Sequence, residues 1–112
     1  MISKMTTIKI RRTSSRLFVP LLFALGSSGS LYAADIIKGG NLYAAHCAAC
    51  HGASGVSVMP GAPSFARNER LLQPDMTLLA TIKAGKNIMP SFQGILSDRD
   101  ILDIIAHLRT LN

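Results

Sequence analysis

Cys47-Ala48-Ala49-Cys50-His51 is a C-x-x-C-H run, and its reading decides the fold. It places two thiols and an imidazole where one prosthetic group can use all three. At the end of a helical turn, the thiols can add to the two vinyl groups of a protoporphyrin while the next residue gives the iron its proximal nitrogen. The run therefore reads as c-type haem attachment, with Cys47 and Cys50 as thioether donors and His51 as the proximal ligand.

Other uses of the same residues fit less well. A thioredoxin-like dithiol needs a βαβ surround, and the chain lacks that alternation. Zinc needs a fourth ligand at a plausible spacing, and the chain has no second C-x-x-C because it contains only two cysteines. A Cys47–Cys50 disulfide would leave His51 unexplained.

Residues 1–34 read as a cleaved secretory signal peptide rather than as part of the domain. Lys4, Lys9, Arg11, Arg12 and Arg16 form a basic start without an acid. Leu17 to Leu25 is a short apolar run interrupted by Pro20, and small residues follow up to Leu31-Tyr32-Ala33-Ala34. That run is about half of the roughly 20 residues a membrane span needs, so a soluble periplasmic product with no span in the mature chain is expected. No cysteine lies near the cleavage region for lipid attachment. Arg11-Arg12 is common in basic leaders, and a haem attached after export implies that the unfolded chain crosses first, by the general secretory route.

Removing the leader changes the meaning of the charge. The formal +6 includes the five leader cations; beyond them, seven Lys and Arg face six Asp and Glu, leaving +1. Two ionised haem propionates would bring this to about −1, so the basic balance belongs to targeting and no nucleic-acid partner is expected. Of 112 residues, cleavage after Ala34 or Ala33 leaves 78 or 79. That is one domain, 35–112, of a size at which an ordinary core stabilises only marginally. A covalent haem would supply a large apolar plate for short helices to pack around, which predicts an all-α fold.

Ile36 to His51 reads as a first helix running into the motif, with Leu42, Tyr43 and His46 on one loosely apolar face and alanines raising helix propensity. Gly39 and Gly40 point either to fraying or to a close crossing by another helix. His46 reads as a surface residue. Gly52 to Pro63 is rich in Gly, Ala, Ser and Pro and reads as a loop around the proximal face. A metal-bound histidine usually donates its second ring N–H to a carbonyl, and Pro63, then Pro60, are the candidates.

Farther along, Gly85-Lys86-Asn87-Ile88-Met89-Pro90 and a final Ile-Ile-Ala-His-Leu-Arg helix complete a pattern. With the haem motif and Pro-Gly-Ala-Pro-Ser-Phe before them, these segments resemble class I c-type cytochromes, above all small bacterial periplasmic monohaem members of the c551, c552 and c55X kind. The resemblance covers essentially the whole mature chain. It implies the cytochrome c fold, with short helices around one covalently attached haem. It favours Pro63 over Pro60 as acceptor for the proximal histidine and a methionine of the Met-Pro loop as second axial ligand. It also implies a crossing of first and last helices near a glycine and an aromatic. Gly40 and Tyr43 match one side, while His107 stands where an aromatic is usual.

The residues agree on the methionine. Met76 falls in the first turn of a helix, and Met59 lies shortly after His51 in the proximal loop. Met89 follows an intervening helix, in an irregular loop that can pass round the porphyrin edge. His51 and Met89 are thus the expected metal ligands. In Arg67-Asn68-Glu69-Arg70, Glu69 and Arg70 read as solvated, and Arg67 is a candidate to meet a buried propionate.

Gln73-Pro74-Asp75 opens the next helix, with Pro at the first helical position, Met76, Leu78, Leu79 and Ile82 inside and Gly85 at the end. Ser97 caps the last helix, whose Ile101, Ile104, Ile105 and Leu108 repeat at three and four.

Filled His/Met ligation raises the iron's potential and favours electron transfer over substrate binding. The expected function is a periplasmic one-electron carrier with one covalent haem c, a monomer meeting its redox partner proteins transiently, and not an enzyme. Ala48, Ala49, Met59, Pro60, Ile88 and Pro90 are expected to ring its docking edge. The alternatives are a haem enzyme or sensor with a displaceable distal ligand, and a haem subunit or assembly factor of a larger redox enzyme.

Overall fold

The computed structural model describes residues 32–112; the expected leader, 1–34, lies outside the described residues as far as 31. Four α-helices follow in order: α1 (Ile36–His46), α2 (Ala48–His51), α3 (Asp75–Ala84) and α4 (Asp98–Leu108), with a single 3-10 turn at Phe65–Arg67. Among the described residues there is no strand beyond an isolated bridge between Lys86 and Met89. The all-α expectation holds.

α1 starts where Asp35 caps it, its carboxylate accepting the Lys38 N–H at 2.9 Å. The expected single helix through His51 is broken at Cys47, where the backbone turns to φ −121°. α2 is therefore one separate turn. It stops at Gly52, where φ is +79° and a Cβ would lie 1.9 Å from the Val56 carbonyl oxygen, so only glycine fits. α4 has the expected cap in full: Ser97 and Asp100 form a capping box, Ser97 Oγ accepting the Asp100 N–H and an Asp100 carboxylate oxygen accepting the Ser97 N–H.

The frame is α1 crossing α4, with α3 also laid on α4. Ile101, Ile104, Ile105 and Leu108 are all buried, and burial of each is worth about 1.5–3 kcal/mol. Tyr43, Phe65, Leu71, Leu78, Leu79, Phe92 and Leu96 complete the core. Gly39 and Gly40 mark a close crossing: a Cβ on Gly39 would lie 1.9 Å from the Asp103 carbonyl oxygen, and one on Gly40 would meet the His107 ring at 3.1 Å. The His107 ring also lies against Tyr43, with centroids 5.5 Å apart.

Asp103 is buried in this crossing, only 1% exposed. Its carboxylate accepts the Asp35 N–H at 2.9 Å and lies 3.4 Å from Lys38 Nζ and 3.3 Å from Arg99 Nε. A buried charge needs such partners, and these tie the start of α1 to the middle of α4.

α3 departs from expectation at its start. Pro74 is the cap rather than the first helical residue, and Met76 is 66% exposed instead of facing inward. This ten-residue helix meets α4 through one narrow face, Leu78 and Leu79 with Ile82 half-buried beside them, which turns Met76 to solvent.

Candidate functional site

Between this frame and the two long loops lies a cavity of about 560 Å³. Such a volume is within the roughly 300–1,000 Å³ of cofactor sites. Tyr43, Cys47, Cys50 and His51 line it from α1 and the motif, and Met59, Pro63 and Phe65 from the first loop and the turn after it. Leu78 and Ile82 come from α3, Asn87 to Pro90 from the second loop, and Ile104 and Leu108 from α4. Cys47, Cys50, His51, Pro63 and Met89 are thus brought together. Met59 also reaches the wall, whereas Met76 does not.

His51 is held on two sides. Its Nδ1 lies 3.1 Å from the Pro63 carbonyl oxygen, and its ring stacks on Phe65 with centroids 4.6 Å apart and planes 22° from parallel. With Nδ1 donating to that carbonyl, Nε2 is the ring nitrogen left with its lone pair free to ligate.

The loop that supplies Pro63 is pinned to the motif. Val58 and Met59 N–H groups donate to the Cys50 carbonyl at 3.1 and 3.2 Å, and the Tyr43 hydroxyl donates to the Gly52 carbonyl at 2.6 Å. Burial pushes the Tyr43 phenol up to about 12.

On the other side, Lys86 and Met89 exchange both backbone hydrogen bonds, at 3.1 and 3.0 Å, around Asn87 at φ +56°. That tight turn fixes the backbone from which the Met89 thioether projects. His46 is exposed, as expected, with Phe92 edge-on to it at 6.2 Å.

Arg67 is a correction. It lies off the cavity, 66% exposed at its side chain, and both Nε and Nη2 donate to Glu69 Oε1, at 3.0 and 2.7 Å. The neighbouring carboxylate claims the guanidinium that a propionate was expected to claim. Arg70 lines the cavity in its place.

Glu69 is partly solvated, as expected, 41% exposed at its side chain, and it also reaches the wall, where its Oε2 accepts the Ser64 N–H at 2.7 Å. That hydrogen bond, then Arg67, holds its carboxyl below the usual range. The Ser64–Glu69 pairing has no periodic signal in the sequence.

The donor set fits a covalent porphyrin. Both cysteines are free thiols on the wall of a mainly apolar cavity large enough for a cofactor, beside an imidazole already oriented. It fits a redox dithiol poorly: burial, then the neighbouring Cys50, pushes the Cys47 thiol up to about 11, whereas reactive dithiols need a lowered value. Among the described residues, no three His, Cys, Asp or Glu side chains gather as a metal-ligand group, so a zinc site lacks its donors.

Comparison with known proteins agrees with this geometry. The family described as cytochrome C oxidase, cbb3-type, subunit III matches residues 34–108. Cytochrome c4 of Pseudomonas aeruginosa is 40% identical over 97 residues, covering 83% of this chain and 47% of the relative, so the chain spans about half the length of that protein. Cytochrome c6 of Gracilaria tenuistipitata var. liui is 35% identical over 79 residues, covering 69% of this chain and 73% of the relative. The crystal structure of cytochrome c6 from the diatom Phaeodactylum tricornutum superposes with a TM-score of 0.55 at 28% identity, over 68% of this chain and 92% of that one. Because the match runs from before α1 to the end of α4, the chain belongs to the cytochrome c family, in the branch whose description is cbb3-type subunit III.

Proposed function

We propose that the chain is a periplasmic one-electron carrier with one covalent haem c, formed by residues 35–112 after removal of 1–34. One observation carries this reading: Cys47, Cys50, His51 and Met89, from two separate stretches, line a single mainly apolar cavity. Cys47 and Cys50 would hold the haem through thioether bonds, with His51 and Met89 as axial ligands. Held by these residues, the haem would supply one-electron redox chemistry, and with both His51 and Met89 on the iron it would leave no open position to a substrate. The relatives named cytochromes c4 and c6 support the same reading.

The protein's own residues set the conditions. The Pro63 carbonyl fixes the His51 tautomer, which raises the basicity of the ligating nitrogen. Phe65, Leu78, Ile104 and Leu108 line the cavity with apolar surface that excludes water. Among the described residues no helix is long and apolar enough to cross a membrane.

At the cavity's rim Ile88 is 73% exposed and Pro90, in the same loop, is exposed too; Ala49 between the cysteines and Pro60 in the first loop are likewise exposed. With +1 on the mature chain before propionates are counted, steering is weak. The docking patch is small, apolar and short-lived, and the carrier is a monomer.

Absorption spectra test the ligation. The ferric protein should be low-spin with a weak sulfur-to-iron band in the far red, and the reduced protein should exclude carbon monoxide. Met89→Ala should lose the band and bind the gas. Rapid binding of carbon monoxide to the reduced wild type would replace the carrier by an enzyme or sensor with an open distal site.

A further inference from the structure

The residue between the two groups that hold His51 is itself held. Pro63 supplies the carbonyl at the imidazole's edge and Phe65 the ring on its face, so the backbone of Ser64 sets where both sit. Ser64 is 1% exposed. Its N–H donates to Glu69 Oε2 at 2.7 Å, and its carbonyl accepts the Glu69 N–H at 3.3 Å. Its hydroxyl accepts the Ser57 N–H at 3.0 Å. Glu69 is aimed in turn by Arg67, through Nε and Nη2 to Oε1.

The Arg67–Glu69 pair taken alone would be an exposed ion pair worth little. Its use lies in the other carboxylate oxygen. A 2.7 Å hydrogen bond from a buried N–H to an ionised carboxylate is of the short, strong class.

We propose that Glu69 is a positioning residue for His51: its carboxylate locks Ser64, and through Ser64 the Pro63 carbonyl and the Phe65 ring that orient the imidazole. This rests on the reading of His51 as the iron ligand. Partners one step removed from a metal ligand fix its tautomer and direction, and losing one typically weakens a site about 10- to 100-fold. Arg67, off the cavity, would contribute by aiming Glu69 rather than by meeting the cofactor.

A plain charge effect is the competing account, since Glu69 also lines the cavity and its negative charge would lower the potential of an iron there. Two conservative variants separate charge from reach, and both should fold. Glu69→Gln keeps an oxygen at the same distance but loses the charge; Glu69→Asp keeps the charge but withdraws it by one methylene.

The readouts, on the reduced, haem-loaded protein, are solvent exchange of the His51 Nδ1 proton by NMR and the reduction potential. Positioning requires exchange more than about twofold faster in Glu69→Asp, because a loosened Ser64 frees the Pro63 carbonyl that protects this proton. Glu69→Gln should stay near wild type in exchange while its potential rises. Exchange in Glu69→Asp within about twofold of wild type would overturn the proposal and leave Glu69 as a charge only. If His51 were not the ligand, its ring protons would lack the large upfield shifts of an axial imidazole in the wild type itself, a separate failure that removes both readings.

Discussion

The two loops that close the cavity are secured in opposite ways. The loop after the motif is bonded back to the motif: Val58 and Met59 to the Cys50 carbonyl, Tyr43 to Gly52, and Pro63 to His51. The loop carrying Met89 is bonded to itself and to its own helix. Lys86 pairs with Met89, while the Ser91 hydroxyl and the Phe92 and Gln93 N–H groups all donate to the Lys83 carbonyl, the first at 2.6 Å and the other two at 3.2 Å. Among the described residues, no hydrogen bond joins residues 86–93 to residues 47–63. The histidine side is thus cross-braced by contacts that share its own backbone. The methionine side stands at a distance set mainly by how α3 and α1 sit on α4 and by the packing of Phe92 on the core. A perturbation of the frame should therefore reach Met89 before it reaches His51.

The largest expected effect comes from forcing that frame. Gly39→Ala would gain up to about 1 kcal/mol of helix propensity, but its Cβ would lie 1.9 Å from the Asp103 carbonyl oxygen. Backbone cannot yield as a flexible side chain can, so the overpacking cost, about 1–3 kcal/mol or more, should win. Thermal unfolding should show a clear loss. In the same variant the far-red sulfur band should weaken before any sign of altered histidine ligation. Equal loss on both sides would remove the contrast between the loops.

The next effect sharpens the contrast from the braced side. Tyr43→Phe keeps the buried ring and deletes the donor to Gly52. The Gly55 N–H still donates to that carbonyl at 3.1 Å, so the loss should be about 1 kcal/mol rather than the full penalty of an orphaned acceptor. The phenol's value, about 12 in the fold against 10.0 ordinarily, is raised, so the stability it contributes is complete below pH 10 and lost as pH rises toward 12. Alkaline melts should show that decline in the parent and not in Tyr43→Phe. At the tip of the other loop, Asn87→Gly removes only a side chain held at positive φ and should leave stability level or slightly higher.

What was legible in the sequence follows the same division between local and distant. The C-x-x-C-H run, the Ser97 cap and the 101–104–105–108 spacing are local patterns, and each appears where its residues place it. Met76 went wrong because periodicity finds a face without saying how wide it is, and α3 uses a narrow one. Arg67 went wrong through its neighbour Glu69. A run of charges reads as solvated by default, and nothing in it shows that Glu69 would find the Ser64 N–H and take Arg67 with it. Asp103 sits on the buried stripe of α4 and looks like a misplaced acid until Asp35, 68 residues earlier, is brought to it. Pairings of that kind depend on the crossing and have no period to detect.

The smallest expected effect belongs to that crossing's outer edge and is read in acid. Asp100 accepts from Lys38 Nζ at 2.6 Å, and then from the Ser97 hydroxyl and N–H, which together hold its carboxyl at about 2 against an ordinary 3.8. A lowered value means that the folded form favours the carboxylate. Its contribution is therefore present above about pH 4 and lost as pH falls toward 2. Asp100→Asn keeps an oxygen for the cap but loses the attraction to Lys38, so its melting temperature should fall less steeply between pH 4 and 2 than the parent's. The lysine is 48% exposed and the aspartate 23%, so added salt should shrink the difference. If Asp100→Asn follows the parent through that pH range at low salt, the ion pair at the rim of the crossing adds nothing to the frame on which the Met89 loop depends.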